Sequence, residues 1–191
     1  MFLIDKKFWE VRKTNDKGLG VFAKREITKG TVIGDYLGKL IRNADYDVEL
    51  EKNGVYLMYL TDEASIYPDL KKQGLHLFNH SCEPNCAFYL YRGHILFFAI
   101  ENIEAGSELT ISYMISPKEY CTNCTHYCMC GSLNCTGTLH LTKREYAKWD
   151  RYQKEHKRKS VFPKSAFGKD FPKLKNYPKV VSGWPPYLNN F

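Results

Sequence analysis

Hydrophobic positions along this chain come in short runs broken by glycine, proline or charge, and few of them recur with a helical period. Phe8-Trp9-Glu10-Val11-Arg12 reads as a short strand, and the polar run Lys13–Lys17 leads through Gly18-Leu19-Gly20 into Val21-Phe22-Ala23. A turn at Thr28-Lys29-Gly30 precedes a strand ending near Gly34, and Asp35-Tyr36-Leu37-Gly38-Lys39-Leu40-Ile41 is another β-rich piece. Residues 43–53 are polar and predict a short helix or loop, after which Tyr56–Leu60 returns to strand. Ala87–Tyr91 and Ile95–Ile100 flank Arg92-Gly93-His94 as a hairpin, and Ile103–Tyr113 closes the β-rich part. The pattern then changes. Thr142-Lys143-Arg144-Glu145 is a capping box that should start a helix, with Tyr146, Trp149 and Tyr152 along one aromatic side. From Val161 the chain sets Pro163, Pro172, Pro178, Pro185 and Pro186 among aromatics, which predicts an extended stretch packed along the domain. Many short strands and little helix make this a mostly β, meandering chain.

Composition changes that picture only in detail. A chain of 191 residues, 43% hydrophobic and rich in Tyr and Phe, can bury a real core. No long apolar run offers a membrane span, and the quickly charged start Met1–Lys6 lacks a signal-peptide pattern, so an intracellular protein, cytoplasmic or nuclear, is expected. The net charge of +7 is uneven: residues 141–191 hold 13 Lys or Arg against 4 acids, which leaves −2 on the first 140 residues. Such a basic tail reads first as a solvated face, and it leaves weak contact with nucleic acid open. Five of the seven cysteines crowd into residues 121–135, a density that favours metal over disulfides inside a cell.

The chemistry concentrates around Asn79-His80-Ser81-Cys82-Glu83-Pro84-Asn85-Cys86, which follows the apolar pair Leu77 and Phe78. Pro84 stops a regular strand or helix, so these hydrogen bonders must be held by partners far away in sequence. Gly18-Leu19-Gly20 lacks a third glycine and a following helix, so a dinucleotide-binding reading fails. Asn-His-Ser-Cys-x-Pro-Asn resembles the central motif of SET-domain protein lysine methyltransferases. Lys17–Gly20, Tyr36-x-Gly38 and Ala105-Gly106-Ser107-Glu108-Leu109-Thr110-Ile111-Ser112-Tyr113 resemble that family's other motifs, in the same order, over about residues 9–140. The chain departs from the family at Ser65-Ile66-Tyr67, where many members carry Ile-Asp-Ala, and at Ser107 and Ser112, which replace two usual acids.

The resemblance implies a fold of short curved β-sheets with a pseudoknot over residues 1–117 and a zinc-binding post-SET segment at 118–140; it does not cover the basic, aromatic and Pro-rich extension at 141–191. It implies an S-adenosyl-L-methionine-dependent transfer of methyl groups to a lysine amine of a histone or other basic protein. Tyr113 would carry the hydroxyl beside the reacting centre and Tyr36 would shape the lysine channel. Lys17, Gly18, Leu19, Gly20, Tyr56, Asn79 and His80 would hold the cofactor, with Tyr59 a competitor for the place of Tyr56. Ile111 stands where the family commonly has Phe or Tyr, and its smaller side chain leaves room for more than one methyl. Cys128-x-Cys130-x4-Cys135 would borrow Cys82 to complete a structural zinc site. Cys121-x2-Cys124 with His126 has metal-ligand spacing but no evident fourth donor, so a second metal, a labile disulfide and spare thiols stay open, the last being simplest. Cys86 reads as a small buried hydrophobe. Two other function classes are a catalytically silent SET module that binds a protein, and a zinc-stapled nucleic-acid binder whose affinity would fall with salt.

Overall fold

The computed structural model describes residues 2–46, 55–121, 124–156, 162–181 and 183–188. Among the described residues, four small sheets and one α-helix carry the fold, mostly β as expected. Strands β1 (Trp9–Lys13) and β2 (Leu19–Ala23) form an antiparallel hairpin whose turn contains Gly18 at φ +77°. Strand β3 (Val32–Asp35) pairs with β9 (His94–Ala99), which also pairs with β8 (Cys86–Tyr91). Strands β4 (Lys39–Arg42), β6 (Ala64–Tyr67) and β5 (Met58–Tyr59) make the third sheet, with β6 central. The fourth sheet is one parallel pair of two-residue strands, β7 (Asn79–His80) beside β10 (Thr110–Ile111). None of the described helices is long and apolar enough to cross a membrane.

The expected hairpin at Arg92-Gly93-His94 is present, with His94 in β9 and not in the turn. Arg92 and Gly93 have φ of 48° and 77°, the two positive values that a tight two-residue connection with right-handed strand twist requires. Strand β9 is buried at every position because it is covered on both faces. Ile95, Phe97 and Ala99 face the main core, while Leu96 and Phe98 pack with Val32, Ala87 and Tyr89 in a second cluster. That second face is covered by the C-terminal stretch through Tyr177 and Val181.

Two expected strands are shorter than their apolar runs. Tyr36 follows β3 instead of lying in a strand, although its N–H still bonds the Ile95 carbonyl at 2.9 Å. The chain bends there because Gly38 passes over β6: a Cβ on Gly38 would sit 2.1 Å from the Tyr67 carbonyl oxygen. Tyr56 also lies just outside its strand, β5. Asn43–Asp45 forms a single 3-10 turn, and the rest of the expected 43–53 element falls largely outside the described residues.

The capping box forms as read: Thr142 N–H donates to Glu145 Oε2 at 2.8 Å, and Glu145 N–H donates to Thr142 Oγ1 at 3.3 Å. It starts helix α1 (Lys143–His156), which buries Trp149 and Tyr152. The Trp149 ring meets Phe88 edge-on at 5.1 Å, and the Tyr152 hydroxyl accepts the Leu90 N–H at 3.1 Å. The following stretch runs along the domain as a set of extra strand-like edges. Val32 N–H bonds Lys179 C=O at 2.9 Å, Leu40 N–H bonds Lys169 C=O at 2.9 Å, and Phe171 N–H bonds Gly38 C=O at 2.7 Å. Asp35, fully buried, accepts from Tyr177 at 2.7 Å and pairs with His94 at 2.8 Å. Replacing Trp149 by Ala removes a large ring from the layer behind Phe88 and should cost about 3–5 kcal/mol, read from urea denaturation of the full chain.

Candidate active site

Segment 79–82 cannot hold its own conformation and is clamped against residues 108–113. Ser81 N–H donates to Ile111 C=O at 3.0 Å, continuing the parallel register of Asn79 with Thr110 and His80 with Ile111. Asn85, beyond Pro84, acts as a surrogate strand: its Nδ2 donates to Glu108 C=O at 2.7 Å and its Oδ1 accepts Thr110 N–H at 2.9 Å. The crossing thereby gains polar partners that Pro84 could not give.

Glu108 is the hub of the polar part. Its Oε1 accepts Asn79 Nδ2 at 2.7 Å and its Oε2 pairs with Lys17 Nζ at 2.8 Å. Asn79 also donates to Leu19 C=O at 3.1 Å, tying the hub to the hairpin turn. Gly20 is where this turn must come close, since a Cβ there would meet Glu108 Oε1 at 2.5 Å and Asn79 Nδ2 at 3.0 Å. Lys17, Gly20 and Asn79, all candidates from sequence, therefore converge through Glu108. Gly18 and Leu19 are exposed along the same turn.

His80 joins this part to Tyr113. The Tyr113 N–H donates to His80 Nδ1 at 3.2 Å, so that nitrogen carries the lone pair and Nε2 carries the hydrogen, 3.5 Å from Cys82 Sγ. Burial pushes the ring down to about 4, which keeps it neutral. The Tyr113 hydroxyl donates to Phe78 C=O at 3.2 Å, and the Tyr36 hydroxyl donates to Tyr56 C=O at 2.6 Å. Burial and then Tyr56 push Tyr113 up to about 12, and burial raises Tyr36 further, so both phenols stay protonated near neutral pH. A cavity of about 40 Å³ lies between Tyr36, Tyr56, Phe78, Ile111 and Tyr113, with His76 and Phe88 also on its wall. Tyr56 is thus on the tyrosine cavity, whereas Tyr59 is exposed and donates to Asp62 at 2.5 Å.

The cysteines converge on the outer side of His80. Sγ atoms of Cys82, Cys128, Cys130 and Cys135 all lie within 4.8 Å of one another. Cys82 and Cys135 are each 3.7 Å from Cys128, close to the edge of about 3.8 Å in a tetrahedron built on Zn–S bonds of about 2.3 Å. Amide hydrogens of Cys82 and Thr136 point at Cys130 Sγ and Cys82 Sγ, each at 3.5 Å. Four thiolates so spaced suit a closed zinc site. A second group brings Cys121, Cys124 and His126 together with His140, again within 4.8 Å. The fourth donor missing from the sequence reading is His140, which comes after the other cysteine set in the chain.

Sequence reasoning also passed over Glu108, Asn85 and His76 as site residues. Glu108 had a signal, being retained in the Gly-x-Glu-Leu-Thr run, whereas His76 had none. Burial pushes His76 from 6.5 down to about 4. The unfolded chain takes up a proton that the folded chain refuses, so this contribution is fully present above about pH 6.5 and is lost as pH falls toward 4. His76→Gln should lose stability less steeply than the wild type over that window, measured as urea midpoints at pH 7 and about pH 5.

The SET domain family model matches residues 18–114. Among curated proteins, the chain is 34% identical over 158 residues to "Histone-lysine N-methyltransferase, H3 lysine-9 specific" of Schizosaccharomyces pombe, covering 68% of this chain and 32% of that protein. It is 30% identical over 140 residues to "Histone-lysine N-methyltransferase, H3 lysine-36 specific" of Homo sapiens, covering 68% of this chain and 5% of that one. A solved structure of KRYPTONITE in complex with mCHH DNA, an H3(1-15) peptide and SAH superposes with a TM-score of 0.57 at 26% identity, over 69% of this chain and 29% of that one. The chain spans a third or less of the length of these proteins. The matched segment runs from the hairpin glycine to the residue after Tyr113, and so takes in the glycine turn, the β7–β10 crossing and the tyrosine cavity. On that match the chain belongs to the SET domain family.

Proposed function

We propose that this chain is a protein-lysine N-methyltransferase that uses S-adenosyl-L-methionine. The observation that carries the reading is the tyrosine-lined cavity of about 40 Å³ walled in part by Phe78, Ile111 and Tyr113 at the β7–β10 crossing, with the Lys17–Asn79–Glu108 cluster on the same crossing. When bound, S-adenosyl-L-methionine supplies an electrophilic methyl group on a cationic sulfur. A cation (Lys17), a primary amide (Asn79) and a carboxylate (Glu108) beside an exposed glycine turn form a donor set suited to a zwitterionic amino-acid head. We assign Lys17, Gly18, Leu19, Gly20, Asn79 and His80 to cofactor binding. Tyr56 goes to the wall between that site and the lysine.

The part left to Tyr36, Tyr113 and Ile111 is to receive a lysine side chain and dry it. Free lysine has a pKa of about 10.4, and loss of water around the ammonium lowers it toward the neutral, nucleophilic amine. Two phenols that stay protonated can orient that amine by hydrogen bonding, and neither serves as a base near neutral pH. The lysine belongs to a protein, and the histone specificities named for the relatives support a histone tail or another basic protein. The −2 balance of the first 140 residues complements such a substrate. We assign Cys82, Cys128, Cys130 and Cys135 to a structural zinc that holds residues 118–140 against the crossing.

Transfer of labelled methyl from S-adenosyl-L-methionine to histones and a panel of other basic proteins tests the reading, with Tyr113→Phe as control. Label on lysine that falls by about 10²-fold or more in the variant is expected. Absence of both label and calorimetric cofactor binding in the wild type would sink it. Ile111→Phe fills part of the cavity wall and should shift the products toward fewer methyl groups per lysine, read by mass spectrometry of the methylated peptide.

A further inference from the structure

The segment joining the SET fold to α1 has almost no core of its own. Leu133 is 94% exposed and Tyr127 73%, with Tyr120 and Met129 also exposed, and none of the described residues of 118–140 belongs to either hydrophobic cluster, so apolar burial does not hold them in place. Small units of this kind are held by cross-links or metals. One four-sulfur site at Cys82, Cys128, Cys130 and Cys135 pins only the outer loop.

We propose that Cys121, Cys124, His126 and His140 bind a second, structural zinc ion. Bonds of about 2.3 Å to sulfur and 2.0–2.1 Å to nitrogen give a tetrahedral S···N edge of about 3.5–3.6 Å. His126 Nδ1 is 3.6 Å from Cys121 Sγ and 3.5 Å from Cys124 Sγ. Cys124 Sγ and His140 Nε2 are 2.8 Å apart, a hydrogen-bond spacing that must open by about 0.7 Å to reach that edge.

The surroundings orient both imidazoles for this task. His140 is buried, and its Nδ1 lies 2.5 Å from Ser116 C=O, which can only accept, so Nδ1 bears the hydrogen and Nε2 turns its lone pair to the cluster. The His126 carbonyl accepts the Leu139 N–H at 3.0 Å and the Thr138 hydroxyl at 3.3 Å, which sets its ring opposite His140 at 5.2 Å between centroids. Two thiolates and two imidazoles leave no open coordination position and suit zinc.

The order of ligands along the chain gives this site its purpose. Cys121, Cys124 and His126 precede the loop that carries Cys128, Cys130 and Cys135, and His140 follows it, so the second site closes the base of the loop bearing the first. The base is already a narrow ladder, with Tyr127 bridged to Thr138 and Cys128 N–H bonded to Gly137 C=O at 3.1 Å. His140 is bridged in turn to Ile115, and Leu141 N–H bonds Ile115 C=O at 3.0 Å, just beyond Tyr113. A second ion would fix the loop to the end of the catalytic strand segment.

The test is the metal content of the full, tag-free chain, saturated with zinc and desalted, with its zinc X-ray absorption spectrum; neither readout depends on methyl transfer. The expected result is about two zinc ions per chain and a mean shell of about three sulfurs to one nitrogen, the average of a four-thiolate and a two-thiolate, two-imidazole site. His140→Gln, and the pair Cys121→Ser with Cys124→Ser, should each fall to about one ion with an all-sulfur shell. One zinc per wild-type chain with an all-sulfur shell overturns the proposal, as does a thiol titration that finds Cys121 and Cys124 joined in a disulfide. Should the variants fail to fold, the wild-type count and shell decide the matter.

Discussion

Two-residue strands do not hold themselves, and the site of this protein is built on a parallel pair of them. The β7–β10 crossing stands because polar side chains do the work that longer ladders do elsewhere. Asn85 supplies a donor and an acceptor to residues 108 and 110, and the Glu108 carboxylate takes one hydrogen bond from Asn79 and one ion pair from Lys17. These contacts bring the hairpin turn, the crossing and the tyrosines into one place. Gly20 is glycine for the same reason, as any side chain there would displace the carboxylate or the amide.

The C-terminal stretch solves a different problem. Strand β9 is apolar on both faces, and the main core can cover only one of them. Tyr177 and Val181 close the second face, and α1 with Tyr187 packs behind Phe88, which is itself on the cavity wall. The tail reaches the site through that layer. Its many aromatics are explained as covering surface, and its five prolines by the absence of any need for a regular ladder.

Much of this was legible in the chain, and the limits have physical causes. Motifs whose residues are neighbours, such as Asn79–Asn85 and Thr142–Glu145, announce their local geometry because turn and cap chemistry is local. The hairpin at Arg92-Gly93 was legible for the same reason. Glu108 was visible only as one retained residue of a run, since its partner Lys17 lies 91 positions away and no spacing rule links them. His140 was hidden because three cysteines of the other set, Cys128, Cys130 and Cys135, stand between it and His126. The pairing of the tail with Gly30–Val32 and Gly38–Leu40 left no trace either, because isolated bridges impose no alternation. Tyr36 and Tyr56 show the complementary limit: the order of motifs singled out both side chains, Tyr36 for the lysine channel and Tyr56 for the cofactor, while strand pattern misjudged the backbone that carries them and the one cavity they share.

His80 explains why a sulfur cluster and the tyrosine cavity sit so near each other. An imidazole with its lone pair committed to the Tyr113 amide must present its N–H on the other edge, and that edge faces Cys82. Burial keeps the ring neutral, so this arrangement does not reverse near neutral pH. A metal held at Cys82 would in turn fix the orientation of the ring. The backbone at Tyr113 is then determined from two sides, by His80 and by the departure of the chain through Met114, whose φ of 54° no ordinary strand would tolerate. The Cys82 cluster and the tyrosine cavity are therefore joined by one short relay, from Cys82 through His80 to the Tyr113 amide.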